Sequence, residues 1–157
     1  MLRSVPCFVA IVIVVTSATL SAQEIPLEQL TLPEGFTIEV YASNIENPRQ
    51  MALGPRGTLF VGTRRAGNVY AVLDDDNDHI ADRVVTIASG LMMPSGVAFR
   101  NGSLFVAEIN RVLRFDAIES SVDSPGEPVV LNDRLPTERA HGWKYLGFSP
   151  DGQLYVP

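Results

Sequence analysis

A short hairpin pattern occurs three times in this chain and constrains its fold more than any other feature. Each copy has an apolar residue, a turn that contains glycine, and a Leu-aromatic-Val triplet. The copies occupy residues 53–61, 99–106 and 148–156. The triplet leucines, Leu59, Leu104 and Leu154, lie 45 and 50 residues apart. This spacing is typical of the blades of a β-propeller.

The pattern predicts an all-β fold. Glycine permits the backbone angles of a tight turn, and the triplets are rich in aromatic and β-branched residues, so each copy predicts a β-hairpin. A four-stranded blade cannot bury both of its faces alone, and blades therefore stack around an axis. The chain accommodates about two and a half blades at this spacing. Since a closed ring needs about four or more, we expect an N-terminal fragment of a longer propeller.

The repeats also predict where the strands lie. For blade one we expect strands near 50–53, 58–63, 68–73 and 83–88. For blade two we expect strands near 96–99, 103–109, 111–115 and 129–131, with a surface loop at 120–128. A third blade begins at Lys144. Residues 36–41 alternate in polarity, which predicts the outer strand of the last blade.

Residues 1–22 have the features of a secretory signal peptide. Arg3 precedes a short apolar run, which is followed by small and polar residues. The run is shorter than the roughly 18 to 20 residues of a membrane span, so we expect cleavage after Ala22 or Ala18, no stable membrane insertion, and a periplasmic or secreted product. Residues 23–35 are then a lead-in and 36–157 the propeller domain. Cleavage removes Cys7, which excludes thiol chemistry.

The charge of the chain argues against nucleic acid as a partner. Its formal net charge is −6, and removal of the signal peptide takes away one basic residue and no acidic one. No basic cluster is present. A nucleic-acid-binding surface needs such a cluster to neutralise phosphates.

His141 is the candidate catalytic residue. It lies seven residues before Phe148, in the loop that leads into the inner strand of blade three. Such loops surround the mouth of the central channel, where an imidazole can accept the proton of an alcohol as a general base. The corresponding positions in the earlier repeats are Glu46 and Met92. The repeat itself therefore does not require histidine, and a structural or solvated role is the alternative.

A second candidate site is the acidic segment 74–82. Carboxylates occupy its first, third, fifth and ninth positions: Asp74, Asp76, Asp78 and Asp82. Oxygen ligands at alternate positions can converge on calcium, as in an EF-hand loop. His79 replaces the turn glycine of that loop, and Val85 replaces its bidentate glutamate. The alternative interpretation is a solvated acidic turn between strands.

Four cations lie near the predicted strand ends and the loops around the channel: Arg64, Arg65, Arg139 and Lys144. A polyanionic cofactor would use such groups for paired hydrogen bonds. Surface solubility explains them as well, and it is the preferred interpretation of Arg64 and Arg65. Trp143 could stack on a flat ligand, although packing between blades is the commoner role of such an aromatic residue.

Two stretches resemble the sorbosone dehydrogenase branch of the soluble sugar dehydrogenases that depend on pyrroloquinoline quinone (PQQ). They are residues 94–99 with 104–108 and, more specifically, His-Gly-Trp-Lys-Tyr at 141–145 with 148–156. The resemblance covers residues 32–157. It implies an exported, six-bladed propeller that oxidises the hydroxyl or hydrated aldehyde carbon of a sugar and passes electrons to an external acceptor.

The resemblance also implies roles for particular groups. His141 matches the family's base, which removes the hydroxyl proton while hydride passes to PQQ and calcium polarises the cofactor. The carboxylate that orients the base, the calcium ligands and most cofactor-binding cations would follow Pro157, so we expect the fragment alone to be inactive. The family's calcium belongs to the cofactor site and gives no support to a site at residues 74–82.

Two other functions stay open at this point. One is a calcium-dependent hydrolase of the lactonase type on the same architecture, for which Glu46 and His141 would supply part of the metal site. The other is a non-catalytic, exported propeller that acts as a binding module, because fold does not determine function.

Overall fold

The computed structural model describes residues 25–157, and the predicted signal peptide with Cys7 lies outside them. Two four-stranded antiparallel sheets and one two-stranded hairpin follow one another along the chain. The first sheet contains β1 (Pro48–Leu53), β2 (Leu59–Thr63), β3 (Val69–Leu73) and β4 (Arg83–Ala88). The second contains β5 (Gly96–Arg100), β6 (Ser103–Ala107), β7 (Val112–Phe115) and β8 (Val129–Asn132). The hairpin contains β9 (Gly147–Phe148) and β10 (Leu154–Tyr155).

The predicted all-β class is confirmed. In both large sheets the spatial order of the strands is their order in the chain. The inner strands lie side by side, since β1 contacts β5 and β5 contacts β9. This is the arrangement of successive blades in part of a propeller. The remaining regular elements of residues 25–157 are single 3₁₀ turns at Leu27–Gln29 and Ile118–Ser120.

The repeat sets the same register in all three hairpins. The triplet leucine pairs with the apolar residue that begins each copy: Leu59 with Leu53, Leu104 with Phe99, and Leu154 with Phe148. Strand register is strongly specified where one face of a strand is buried. For this reason the predicted strands agree closely with the observed ones.

The main core lies between the first two blades. Phe60 and Leu104, from the first two triplets, are fully buried in it with Val97 and Leu113. The ring of Phe60 stacks on that of Phe99, with 5.6 Å between the centroids. Burial of a large apolar side chain contributes about 1.5 to 3 kcal/mol. The same triplet that closes each hairpin therefore also holds neighbouring blades together.

The predicted strand at residues 36–41 is not observed. Phe36 is 69% exposed, and Ile38 and Val40 are also exposed. A strand needs a partner for its backbone groups, and none of the strands in residues 25–157 pairs with this segment. Only its end is tied down, where the carbonyl of Tyr41 accepts a 2.8 Å hydrogen bond from the N–H of Ala81.

The strand order divides the loops between two ends of the blades. One end, here called the upper face, carries the N-terminal ends of the inner strands and residues 64–68, 89–95, 108–111 and 133–146. The opposite end, the lower face, carries residues 54–58, 74–82, 101–102 and 116–128. Among residues 25–157, no helix is long and apolar enough to cross a membrane.

Candidate functional site

His141 lies on the upper face, in the loop between β8 and β9. Its side chain is exposed, and its backbone is in the left-handed region with φ of 57°. Gly142 follows it in a tight bend, where a Cβ atom would overlap the carbonyl oxygen of Glu138. The Nζ of Lys144 donates a 2.8 Å hydrogen bond to the Gly142 carbonyl. The His-Gly-Trp-Lys sequence therefore forms a turn that presents the imidazole to solvent.

Two further residues lie beside His141. Its ring centroid is 5.3 Å from that of Trp143, and the Cζ of Arg64 lies 3.9 Å from the Trp143 ring centroid. Arg64 directly follows β2, so this contact joins the first blade to the loop that leads into the third. A cation over an indole contributes about 0.5 to 1 kcal/mol at an exposed site and more when it is desolvated. We call Arg64, His141 and Trp143 the upper-face cluster.

The structure changes the interpretation of Arg64. Its Nε atom is buried and has no hydrogen-bond partner among residues 25–157, and its guanidinium lies on the indole of Trp143. Packing on Trp143 therefore accounts for part of the position of Arg64, in addition to surface solubility. Arg65 and Arg139 are exposed, which agrees with that role. Position in sequence alone did not separate Arg64 from its neighbour Arg65.

The side chain of Gln50 connects all three inner strands. Its Oε1 accepts hydrogen bonds from the N–H of Val97 at 3.2 Å and of Leu146 at 2.9 Å, and its Nε2 donates to the carbonyl of Leu146 at 2.6 Å. Gly96 leaves room for this crossing, because a Cβ there would lie 2.7 Å from the Lys144 carbonyl oxygen. A residue of blade one thus holds the loop that carries the candidate base.

Glu108 is a buried carboxylate on the same face. Its side chain is 2% exposed, forms an ion pair with Arg111, and accepts a 2.5 Å hydrogen bond from the N–H of Met92. A buried charge is tolerated only when it is paired and hydrogen-bonded. Glu108 occupies the repeat position of Thr63, whose buried hydroxyl donates to the carbonyl of Asn68 and accepts from its N–H. The Glu108 carboxylate therefore has a structural role.

The acidic segment lies on the lower face, at the opposite end of the blade from His141. Oxygens of Asp74, Asp76 and Asp78 lie within 4.8 Å of one another, whereas Asp82 is outside this group. The Oδ2 of Asp82 accepts a 2.7 Å hydrogen bond from the N–H of Asp75. The calcium prediction thus has three of its four carboxylates together, and it stays a prediction.

The charges of this segment affect its surroundings. Burial, and then the negative charges of Asp74 and Asp82, raise the pKa of Tyr41. Arg83 forms ion pairs of 3.0 Å with Asp75 and with Asp123. The lower face therefore offers an acidic loop and its counterion, and it contributes no group to the upper-face cluster.

The comparisons with known proteins give fold relatives only. No protein-family model and no curated protein matches the chain. Among solved structures, the holo PQQ domain of pyranose dehydrogenase from Coprinopsis cinerea is 13% identical, with a TM-score of 0.61 over 71% of this chain and 27% of that one. The PQQ-bound aldose sugar dehydrogenase from Streptomyces coelicolor is 21% identical, with a TM-score of 0.55 over 76% of this chain and 40% of that one.

A gluconolactonase from Xanthomonas campestris is also similar. It is 18% identical, with a TM-score of 0.57 over 80% of this chain and 39% of that one. The chain thus spans less than half the length of each of these three proteins. At these identities the likeness establishes a shared fold, and the function has to be argued from the residues of the upper face.

Proposed function

We propose that this chain supplies part of the propeller of an exported oxidoreductase that uses PQQ to oxidise a sugar or a sugar aldehyde. The observation that carries the proposal is the upper-face cluster, in which an exposed imidazole adjoins an aromatic ring and a guanidinium. The cluster occurs on a fold shared with a PQQ-bound sugar dehydrogenase. Signal-peptide features at residues 1–22 support export to the periplasm or outside the cell.

His141 is the general base in this proposal. A sugar hydroxyl that donates a hydrogen bond to the imidazole loses its proton to that nitrogen as hydride leaves the carbon. The tight bend at Gly142 and the hydrogen bonds of Gln50 to the Leu146 backbone hold the loop that carries the imidazole. Restricting the base to a productive position is worth several kcal/mol in rate. When bound, PQQ would supply the electrophilic quinone carbon that accepts the hydride.

The donor set of the upper face fits a flat, polyanionic cofactor. Arg64 and Lys144 supply positive charge, and Trp143 supplies an aromatic face. The sequence resemblance supports a sorbosone-type substrate and a calcium ion at the cofactor site. Both of these finer assignments rest on that resemblance.

The test is dye reduction by the full-length protein, supplied with PQQ, calcium, an artificial electron acceptor and a panel of aldoses. His141→Ala should lower kcat by about 10² to 10⁴-fold, the contribution of a positioned base. His79 is the only other histidine and lies on the lower face, which makes His79→Ala the matched control with unchanged kcat. Absence of PQQ-dependent dye reduction in the parent protein, or full activity in His141→Ala, would refute the proposal.

A lactonase is the second candidate, favoured by the fold shared with the gluconolactonase and by Glu46. This exposed carboxylate precedes β1 and thus lies at the upper end of blade one. Such an enzyme would hydrolyse a lactone with calcium and without quinone, and Glu46→Gln would abolish that hydrolysis. A protein that shows neither reaction would be a binding module.

A further inference from the structure

We infer that Arg64 and Trp143 form a binding subsite for a carboxylate group carried on a flat aromatic ring. This inference rests on the proposed function, because it assigns two residues of this chain to the cofactor of that reaction. It also adds a prediction that can fail while the proposed function stands. Sequence analysis left open whether Arg64 and Trp143 bind a ligand or serve only solubility and packing.

The first argument is the unmet hydrogen-bonding capacity of Arg64. A guanidinium has five N–H donors and no acceptor. Two arginine Nε atoms, those of Arg64 and Arg114, are buried without a hydrogen-bond partner among residues 25–157. A carboxylate oxygen of Asp116 lies 2.7 Å from the Nε of Arg114, whereas Arg64 forms no ion pair with any of residues 25–157. A half-buried guanidinium that has no anionic partner can bind the anionic group of a ligand.

The second argument is that the nearby carboxylates are not available to Arg64. Glu108 is committed to Arg111 and to the N–H of Met92. The backbone N–H of Arg64 bonds to the carbonyl of Asn47 at 3.2 Å, which brings the backbone of Glu46 close in space. The Glu46 side chain is exposed and forms no ion pair with Arg64. A ligand carboxylate would supply the missing acceptor through a charge-assisted hydrogen bond.

The third argument is the position of Trp143. The Cζ of Arg64 lies 3.9 Å from the centroid of the indole ring, and the ring centroid of His141 lies 5.3 Å from that of Trp143. An arginine stacked on an aromatic ring is preorganised, so it loses less freedom when it binds a planar carboxylate. A flat ring carrying that carboxylate would lie beside the Arg64–Trp143 pair, next to the candidate base. A carboxylate on a sugar acid would satisfy Arg64 but would lack the flat ring.

Isothermal titration calorimetry measures the affinity of this subsite for each ligand. We would titrate the full-length protein with PQQ, with the trimethyl ester of PQQ, which keeps the ring but lacks free carboxylates, and with gluconate. The variants are Arg64→Gln, Arg64→Lys and the control Arg65→Gln, which removes the same charge from the exposed neighbour. Circular dichroism would verify that each variant is folded.

The inference predicts that Arg64→Gln weakens PQQ binding about 10-fold or more, the value of one charge-assisted hydrogen bond. Arg64→Lys keeps the charge but loses the planar guanidinium, so its affinity for PQQ should be intermediate between those of the parent and Arg64→Gln. Arg65→Gln should bind as the parent does. The trimethyl ester should bind the parent more weakly than PQQ does. It should bind the parent and Arg64→Gln with equal affinity. Gluconate should bind far more weakly than PQQ.

The results separate the two proposals. Equal PQQ affinity of the parent and Arg64→Gln would overturn the subsite and leave the oxidoreductase proposal intact. Equal losses in Arg64→Gln and Arg65→Gln would also overturn it, because the effect would then be one of general charge. Tighter binding of gluconate than of PQQ, lost in Arg64→Gln, would retain the carboxylate subsite but reject a ring-bearing ligand and the quinone cofactor. Absence of any binding would overturn both.

Discussion

Removal of the Gln50 side chain should loosen the loop that carries His141. Gln50→Ala deletes three hydrogen bonds, to the N–H of Val97 and to the N–H and carbonyl of Leu146. Each such bond contributes about 0.5 to 1.5 kcal/mol, and a buried group left without a partner costs more. Since the side chain is only half-buried, water replaces part of the loss. We therefore expect the free energy of unfolding to fall by about 2 to 4 kcal/mol.

Urea unfolding followed by Trp143 fluorescence measures this change. With an m-value of about 2 kcal/mol per molar urea, the midpoint should fall by about 1 to 2 M. Gln153→Ala is the matched control, because that exposed side chain makes one hydrogen bond, to Asp151. The control should shift the free energy of unfolding by less than about 0.5 kcal/mol.

Hydrogen exchange locates the effect. The amides of Val97 and Leu146 should exchange faster in Gln50→Ala than in the parent, whereas amides in β6 should change only through the global loss of stability. An unchanged urea midpoint together with unchanged exchange at Leu146 would refute the claim that Gln50 joins the three inner strands.

Two further predictions concern the lower face. Asp76→Asn should weaken calcium binding at residues 74–78, measured by calorimetry, at least tenfold from a dissociation constant of about 10⁻⁴ to 10⁻³ M, the range of extracellular modules; no binding by the parent would establish an acidic turn instead. Hydrogen bonds from Arg114 and then Ser103 lower the pKa of Asp116 below its ordinary 3.8. The stabilisation by this carboxylate is therefore present above pH 3.8 and is lost as the pH falls through the folded-state pKa. In Arg114→Gln, NMR titration should show that pKa returning toward 3.8, and an unchanged value would contradict the assignment.

Much of the fold could be predicted from local sequence, because each blade is built from contacts within one repeat. The turn glycine, the triplet leucine and its apolar partner lie within nine residues of one another, so their pairing is visible in the chain. The segment 36–41 shows the limit of this reasoning. Alternating polarity indicates that a strand is possible, but pairing requires a second strand, and residues 25–157 provide none for it.

The candidate site was predicted only in part. His141 and Trp143 stand out because they belong to one motif, whereas Arg64 meets them from 79 residues earlier in the chain. The link made by Gln50 spans 96 residues and leaves no local signal. Glu108, in contrast, has a signal in the sequence. Alignment of the repeats places its charge at the position of Thr63, which is fully buried, and a charge at a buried repeat position indicates a polar network.

His141, Trp143 and Arg64 are proposed to form one site on the upper face, where the loop after β2 meets the loop that leads into β9. A crystal structure of the full-length protein with PQQ bound tests it most directly. The account predicts the cofactor on the upper face, with one carboxylate on the Arg64 guanidinium and a nitrogen of His141 within about 3 Å of the bound sugar hydroxyl or a water in its place. A cofactor on the lower face, or an imidazole turned to the outer rim, would contradict it.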